Sequence, residues 1–482
     1  MQFNSYLFIL VYFPVLIIGY FLFNRIHPTV GKVFMAIASM AFYLYGGWST
    51  AAVLGISIAV NLAFSILINK SARWKKCFLA LSVSANVLLL FYFKYFNFFL
   101  QNLNVVLGRE YTIKKILLPL GISFFTFQQI MYVVNVYRGE IEKVAVLDYL
   151  VYILYFPKLL MGPLAEPKDL ISQFNAPNRK AVNWDHVSYG IKIFSFGLFK
   201  KLILADTFSA AVAWGFANID ASTAMDWFLI MLSYTFEIYF DFSGYCDMAA
   251  GVSKMLNIDL PINFDSPYKA VSVRDFWKRW HMSLTGFLTR YVYIPLGGSK
   301  KGEIRTYLNT IIVFLISGIW HGANWTFILW GVLHGILSVL ERMFERSKKS
   351  LLEIVRWSGT FLAINILWLL FRADSVSQWW RLIVKMFTFQ NMAVSEGLLN
   401  TFVLPETPFL LNLLNLEYVN HTVRGFSLLL FVFCGFGICL IPENNYRRLK
   451  HNNWCTMILA SVAFVWGFLC LSSESIFVYF NF

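Results

Sequence analysis

Residues 306–340 read TYLNTIIVFLISGIWHGANWTFILWGVLHGILSVL and contain no aspartate, glutamate, lysine or arginine. A helix that crosses a bilayer needs ~20 predominantly apolar residues, so this stretch is long enough for two. The small residues Gly318, Gly322 and Ala323 near its middle allow close approach of two helices or of a substrate. The stretch therefore predicts a membrane-embedded helical hairpin that leaves and returns to the same side.

The composition of the whole chain agrees with a membrane location. Of 482 residues, 58% are hydrophobic and only 14% are charged, whereas soluble proteins carry ~25% charged residues. This balance excludes a soluble, disordered or collagen-like chain. The net charge of +14 is better explained by basic cytoplasmic loops than by nucleic-acid binding, because basic loops stay on the cytoplasmic side of a membrane.

The other apolar stretches predict an all-α polytopic fold of about eleven or twelve transmembrane helices. We expect one membrane domain over residues 1–482, without internal repeat or linker, whose uncharged first 24 residues form a retained helix rather than a signal peptide. Residues 33–69 are long enough for two helices, broken at Gly46-Gly47. The remaining candidates are 1–24, 77–100, 116–137, 145–162, 190–213, 225–250, 357–371, 425–442 and 452–473.

Basic clusters set the expected orientation. The clusters at 70–76, 278–305, 342–349 and 447–450 are predicted to be cytoplasmic, which places 373–424 and the C-terminus outside. One stretch does not fit a pattern in which successive spans connect loops on alternate sides of the membrane. We expect 145–162, which contains Pro157, to be re-entrant, since non-helical backbone is tolerated at membrane depth where protein buries it.

Residues 263–305 form an amphipathic segment that mixes aromatic and basic residues. Such a pattern lies at the membrane interface, and it is consistent with a simple lipid anchor. It is equally consistent with a docking surface for an anionic donor, because Lys278, Arg279 and similar cations bind phosphates well.

His321 is the ionisable residue that stands out within the hairpin. It lies 16 positions after Arg305, which predicts a location deep in the bilayer, where ionisable groups are expensive and often functional. A buried histidine can also be a hydrogen-bonded link between helices. His281 is either an interfacial or a catalytic histidine, and His334 is expected to be a packing residue or a polar link between helices.

Several other chemistries lack support. Asp241 and Asp247 lie six residues apart, which is neither a helical pair nor a metal spacing, so we expect them to balance nearby cations. The chain has no metal-ligand spacing, no G-x-S-x-G elbow, and no Walker or dinucleotide glycine pattern. The six cysteines indicate neither a metal site nor a disulfide framework.

Six segments carry a resemblance to a known family. FWKRWHMSL, RYVYIPLGG, SGIWHGANWTFILWG and YFDFSGYCDMAAG, together with LLPLGISFFTFQQIMYVVNVYRG and YFPKLLMGPLAEPKDLISQF, follow one another in the order expected of that family. The chain resembles the membrane-bound O-acyltransferase superfamily. Within it, the chain is similar to the bacterial alginate and peptidoglycan O-acetyltransferase branch.

The resemblance implies a ring of helices around a tunnel in a bacterial cytoplasmic membrane. Acetyl groups would enter from acetyl-CoA as the donor substrate, with no cofactor or metal. They would leave on the outer face, where a partner acetyltransferase of the SGNH-hydrolase type places them on an envelope polysaccharide such as peptidoglycan or alginate. A neutral acetyl group crosses apolar surroundings far more easily than charged coenzyme A.

The resemblance also assigns site residues. His321 falls on the embedded histidine of the family and would act as general base, while His281 falls on its second, more variable polar position. Trp320 and Asn324 flank His321 and are expected to shape the site or donate a hydrogen bond to the acyl carbonyl oxygen.

The tail at 474–482 contains FVYF, similar to a terminal F-x-Y-F motif of bacterial members. Its aromatic residues are either an interfacial belt or, through Tyr479, an acyl relay.

Two alternatives remain. D-alanyl transfer to teichoic acid belongs to the same superfamily, and RYVYIPLGGSKKG favours the alginate-type branch over it. A secondary transporter would show inverted repeats around a midplane site, and no such repeat is visible in the sequence.

Overall fold

The structure is a computed structural model that describes residues 1–109, 111–344, 352–414, 420–450, 453–472 and 477. Its regular secondary structure within these ranges is helical, without strands. The helices are α1 (Phe8–Ile26), α2 (Pro28–Leu44), α3 (Trp48–Lys70), α4 (Lys75–Leu107), α5 (Ile122–Tyr137), α6 (Val146–Leu154), α7 (Phe156–Leu159), α8 (Pro167–Asn175), α9 (Trp184–Phe199), α10 (Asp206–Ala217), α11 (Ala224–Met255), α12 (Val273–Arg279), α13 (Met282–Leu288), α14 (Glu303–His321), α15 (Trp325–Met343), α16 (Glu353–Arg372), α17 (Val376–Phe387), α18 (Glu396–Thr401), α19 (Glu406–Leu413), α20 (Asn420–Leu440), α21 (Asn445–Arg448) and α22 (Trp454–Leu469).

These helices confirm the prediction of an all-α, multi-pass membrane protein. Six of the described helices are long and apolar enough to cross a bilayer, namely α1, α3, α4, α15, α16 and a segment of α20. Several of the other predicted spans form shorter helices, such as α5 with 16 residues, whereas α14 has 19 residues. The 32-residue helix α11 is long enough but carries four acidic side chains.

Two local predictions can be compared directly with the backbone. The predicted break at Gly46-Gly47 is confirmed, since α2 ends at Leu44 and α3 begins at Trp48. The stretch 145–162 forms the nine-residue α6 and the four-residue α7, separated at Tyr155. Neither piece reaches the ~20 residues that a bilayer crossing needs, and residues 155–165 are buried in protein.

Helices α9 and α11 form the closely packed centre of the fold. A Cβ atom on Gly197 would lie 2.7 Å from the carbonyl oxygen of Gly244, and a Cβ on Gly190 would lie 2.6 Å from that of Gly251. Glycine at these positions therefore lets the two backbones touch, as small residues do between membrane helices.

Buried ion pairs lie beside this contact and confirm the structural role predicted for the two aspartates of α11. Lys200 lies 2.7 Å from Asp247, and Lys201 lies 2.7 Å from Asp241. Lys201 also lies 2.9 Å from Asp206 at the start of α10. Each buried charge therefore has an opposite charge within hydrogen-bond distance, which is the condition for keeping it in the interior.

Candidate active site

His321 lies at the tip of the α14–α15 hairpin, not in the middle of a span. It is the last residue of α14, and α15 begins four residues later at Trp325. The location is nevertheless buried, with only 4% of the residue exposed. The rings of Trp320, Trp330 and Phe371 surround the imidazole at centroid distances of 4.9, 5.3 and 5.1 Å.

The small residues of the hairpin serve contact between its two helices. A Cβ atom on Gly318 would lie 2.3 Å from the carbonyl oxygen of Phe327 and 3.1 Å from the Cα atom of Gly331. A Cβ on Gly322 would overlap the Phe327 ring at 2.1 Å. Of the two explanations that the sequence allows, close helix packing is the one that the structure supports.

Lys94 and Tyr95 of α4 hold the end of α14 in place. The Lys94 ammonium donates hydrogen bonds to the carbonyl oxygens of Trp320 and His321, at 2.7 and 2.8 Å. The Tyr95 hydroxyl donates to the carbonyl of Ile319 at 2.7 Å. A cation at a helix C-terminus satisfies carbonyls that lack partners within the helix and matches the helix dipole.

Sequence reasoning missed this cap although the signal was present. Lys94 is the single charged residue in the otherwise apolar stretch 77–100, and an ionisable residue inside a membrane helix indicates a functional or pairing role. Its partners are backbone carbonyls, which have no signature in the sequence.

His281 lies beside the same aromatic cluster. It precedes α13 with φ of 45°, a left-handed conformation that histidine adopts more readily than most residues. Its ring centroid lies 6.2 Å from that of Trp320, so the structure brings both predicted histidines onto one indole. Burial lowers the pKa of His281 from its usual 6.5 to about 3, which keeps the imidazole neutral.

Asn263 defines the tautomer of His281. The Asn263 Oδ1 atom accepts a hydrogen bond from the Ser283 backbone N–H at 3.1 Å, so it is the amide oxygen. The Nδ1 atom of His281 lies 3.1 Å from that oxygen and therefore donates to it. The lone pair consequently resides on Nε2, as a proton acceptor requires.

Trp320 is a buried indole with an available donor. It stacks on Phe127 at 5.2 Å and meets Phe124 edge-on at 5.3 Å, both from α5. Its Nε1 atom is buried and has no hydrogen-bond partner among the described residues. A buried N–H without a partner is rare in folded proteins, and a bound ligand is one way to satisfy it.

The side chain of Asn324 has a structural role, unlike that of Trp320. It is the N-cap of α15: its Oδ1 accepts from the Thr326 backbone N–H at 3.1 Å, and its Nδ2 donates to the carbonyl of Asp374 at 3.0 Å. Both polar atoms therefore stabilise the turn and α15. The expected donor to an acyl carbonyl is then Trp320 rather than Asn324.

A small cavity, which we call the tip cavity, opens directly onto His321. It has a volume of about 120 Å³ and contains Lys94 together with His321 and Trp320. Its remaining lining is residues 118–124, Leu160 and Met161. Most of this wall is backbone or apolar side chain, which suits an uncharged acceptor group.

A second cavity, the basic cavity, lies between α12–α13 and the hairpin. It has a volume of about 310 Å³, an apolar wall, and three cations: Arg274 and Lys278 from α12 and Arg342 from α15. Ser317, one helical turn before His321, also lines it. Sequence reasoning predicted Lys278 but missed Arg274 and Arg342, whose proximity depends on how α12 packs against α15.

Arg279 does not line the basic cavity. Its Nε atom lies 3.0 Å from the carboxylate of Asp275, one turn earlier on α12. Its Nη1 donates to the carbonyl of Asp265 at 3.4 Å. The predicted pair of donor-binding cations is therefore divided, with Lys278 at the cavity and Arg279 in a local ion pair.

A layer of aromatic rings, which we call the partition, runs between residues that line the two cavities. Trp277 lines the basic cavity and lies 5.5 Å from Trp330, which lies 5.3 Å from His321. His334 lies within this partition, 5.0 Å from Trp277 and 4.7 Å from Trp330. The rings of Trp277 and Trp330 therefore connect the lining of the basic cavity with His321, which lines the tip cavity.

The C-terminal tail is described at one residue. Phe477 is fully buried, its ring 5.2 Å from Tyr245 and 4.7 Å from the Lys201 ammonium. Tyr245 lies one turn from Phe242 on α11, and Phe242 contacts His281 at 4.8 Å. Tyr479, the predicted relay residue, lies outside the described residues.

Comparisons with known proteins place this geometry in context. Residues 54–373, which include both histidines, match the model of the membrane-bound O-acyltransferase family. The chain is 35% identical to the peptidoglycan O-acetyltransferase of Helicobacter pylori, over 100% of this chain and 97% of that protein. It is 34% identical to the probable alginate O-acetylase AlgI of Azotobacter vinelandii, over 82% of this chain and 80% of that protein. A teichoic acid D-alanyltransferase of Streptococcus thermophilus is 28% identical over 48% of this chain and 59% of that protein.

Proposed function

Because this chain belongs to the membrane-bound O-acyltransferase family, we propose that it moves acetyl from acetyl-CoA to an acceptor for O-acetylation of an envelope polysaccharide. The acyltransferase would act in a bacterial cytoplasmic membrane. One observation carries the proposal: His321 lines the tip cavity and lies one ring layer away from the basic cavity. A donor and an acceptor arriving from opposite sides would meet at this histidine.

The basic cavity suits coenzyme A. Its three cations match phosphate groups, which arginine and lysine bind with charge-assisted hydrogen bonds. Its apolar wall, which includes Leu284, Leu288 and Phe314, suits the pantetheine arm. The adenine and ribose would stay outside, toward the side predicted to be cytoplasmic from the basic clusters.

His321 would act as general base. It takes the proton of the acceptor hydroxyl while the oxygen attacks the acyl carbon. The C–S bond breaks, the sulfur keeps the electron pair, and the proton held by His321 completes the thiol of coenzyme A. The Trp320 N–H would donate to the carbonyl oxygen as negative charge develops on it. His281, neutral and packed on Trp320, would hold that indole in place.

The tail would supply the acceptor. The Tyr479 hydroxyl would take the acetyl group. Support comes from Phe477, two positions earlier in the chain, which is anchored on α11 one turn from a ring that contacts His281. A phenolic ester is reactive enough to pass acetyl onward. The recipient would be a serine of an SGNH-type acetyltransferase on the outer face, which would then modify the polysaccharide.

The extent of similarity to the relatives favours acetyl transfer over D-alanyl transfer. The similarity to the peptidoglycan O-acetyltransferase extends over the whole chain, whereas similarity to the D-alanyltransferase covers about half. The three cations of the basic cavity also suit a soluble nucleotide thioester.

The test uses the full chain in proteoliposomes with radiolabelled acetyl-CoA. We expect release of free coenzyme A and label on the protein, both dependent on His321. D-alanyl carrier protein is the matched alternative donor and should give no label. Label from the carrier protein alone would favour the D-alanyl alternative, and uptake of an intact donor would favour transport.

A further inference from the structure

We propose that His334 is a second catalytic histidine, whose Nε2–H donates a hydrogen bond to the departing sulfur of the thioester donor. The inference rests on the proposed function, because it concerns the donor side of the same reaction. Sequence reasoning gave His334 a role in packing or in a polar link between helices, and its surroundings in the structure point to a chemical role in addition.

Trp277 defines the tautomer of His334. The Trp277 indole has a single polar atom, and its Nε1–H donates to His334 Nδ1 at 3.2 Å. Since indole is only a donor, Nδ1 is the acceptor and the proton of the neutral imidazole must lie on Nε2. Trp277 therefore fixes His334 as an N–H donor through its second nitrogen.

That donor is buried without a partner. His334 is 0% exposed, and its Nε2 atom makes no hydrogen bond within the described part of the chain. Leaving a buried N–H unsatisfied is unfavourable, so few such groups persist in folded proteins without a reason. At active sites, such a donor is often preorganised to form its hydrogen bond only when the ligand binds.

The position of His334 indicates that its ligand is the sulfur atom of the thioester donor. Three of its neighbours, Trp277, Phe314 and Ser338, line the basic cavity, and the Phe314 ring lies parallel to the imidazole at 6.1 Å. On the other side, Trp330 separates His334 from His321. With acetyl-CoA entering from the basic cavity, the sulfur precedes the acyl carbon and passes His334 before the carbon reaches His321.

The chemistry balances without a further reactant. As the acceptor oxygen bonds to the acyl carbon, the C–S bond breaks and its electron pair moves to sulfur. The sulfur gains negative charge among aromatic rings, where an unpaired anion is strongly disfavoured. The His334 N–H stabilises that charge without giving up its proton. The proton that His321 removed from the acceptor then converts the thiolate to a thiol.

The first measurement is kinetic, on full-length protein in nanodiscs with acetyl-CoA. His334→Phe fills the space without a donor, and His334→Met serves if the phenylalanine variant does not insert. We expect a fall in kcat of about 10²-fold with little change in KM, the size typical for loss of one preorganised donor. His334→Gln retains an N–H and should recover most of the rate.

A control variant separates chemistry from packing. Thr326 lies on the same helix, its hydroxyl is also buried, and it makes no hydrogen bond among the described residues. Thr326→Val should leave kcat within about twofold, since it removes a polar atom away from both cavities. Equal losses in Thr326→Val and His334→Phe would identify a general packing effect and overturn the inference.

The second measurement does not depend on turnover. Calorimetry of coenzyme A binding at pH 8, in two buffers of different ionisation enthalpy, counts protons exchanged on binding. A hydrogen bond from His334 favours the thiolate, so wild type should release more protons than His334→Phe, by at most about half a proton if the thiol pKa differs by one unit. Desulfo-coenzyme A lacks the thiol and should show no difference.

The outcomes separate this inference from the proposed function. An active wild type whose kcat and proton release are unchanged by His334→Phe or His334→Met makes His334 a packing residue. A wild type that binds neither acetyl-CoA nor coenzyme A removes the donor assignment, and the His334 inference fails with it.

Discussion

The Nζ atom of Lys94 lies 2.8 Å from the carbonyl oxygen of His321. A charge on α4 therefore holds the residue that ends α14, and the backbone of the base is fixed by a helix distant in sequence. Because Lys94 also lines the tip cavity, it contributes to the same surface that the acceptor would meet.

We predict that Lys94→Met lowers acetyl transfer by at least about tenfold. The substitution leaves two carbonyls at the end of α14 without their charged donor, a loss worth ~1.5–3 kcal/mol for a charge-assisted hydrogen bond. Initial rates of coenzyme A release measure the effect. Lys76→Met, at an exposed site on the same helix, is the control, and a Lys94 variant as active as this control contradicts the capping role.

The two adjacent cations of α12 should behave differently. Lys278→Gln should raise the KM for acetyl-CoA about fivefold, ~1 kcal/mol, and reduce its dependence on salt, because an exposed phosphate contact is screened by ions. Arg279→Gln should change KM less than twofold, since Arg279 pairs with Asp275 away from the cavity. Equal effects of the two substitutions, or none from either across salt concentrations, would place donor binding elsewhere.

The tail is tested by removing one oxygen. Tyr479→Phe preserves the aromatic side chain and removes the hydroxyl, so polysaccharide acetylation in cells should fall by at least about 10²-fold while membrane insertion stays intact. Tyr111→Phe is the control, as Tyr111 is an exposed tyrosine outside both cavities. Normal acetylation in Tyr479→Phe would make the tail an interfacial anchor.

Much of the fold and the central histidine were predictable from the sequence. Uncharged runs reveal bilayer-length helices because lipid excludes charge, and the glycine pair at 46–47 indicates a break. His321 is recognisable as an ionisable residue within one of the two longest such runs, 306–340.

The surroundings of His321 were harder to predict because they depend on packing between distant segments. Arg274, Lys278 and Arg342 converge only when α12 lies against α15. The sequence also does not show which of two adjacent cations on the seven-residue α12 faces the cavity. Asn324 lies next to the site, and its amide could in principle bind a substrate. In the structure its side chain instead caps the start of α15.

The most direct test of the account is acetyl transfer by His321→Ala, measured as label moved from acetyl-CoA to the protein and to polysaccharide. Loss of a general base lowers a rate by 10²–10⁴-fold, so we predict transfer below about 1% of wild type in a variant that inserts normally. His27→Ala, at an exposed histidine, should retain wild-type transfer. Wild-type acetylation by a well-expressed His321→Ala protein would contradict the assignment of His321 as the base.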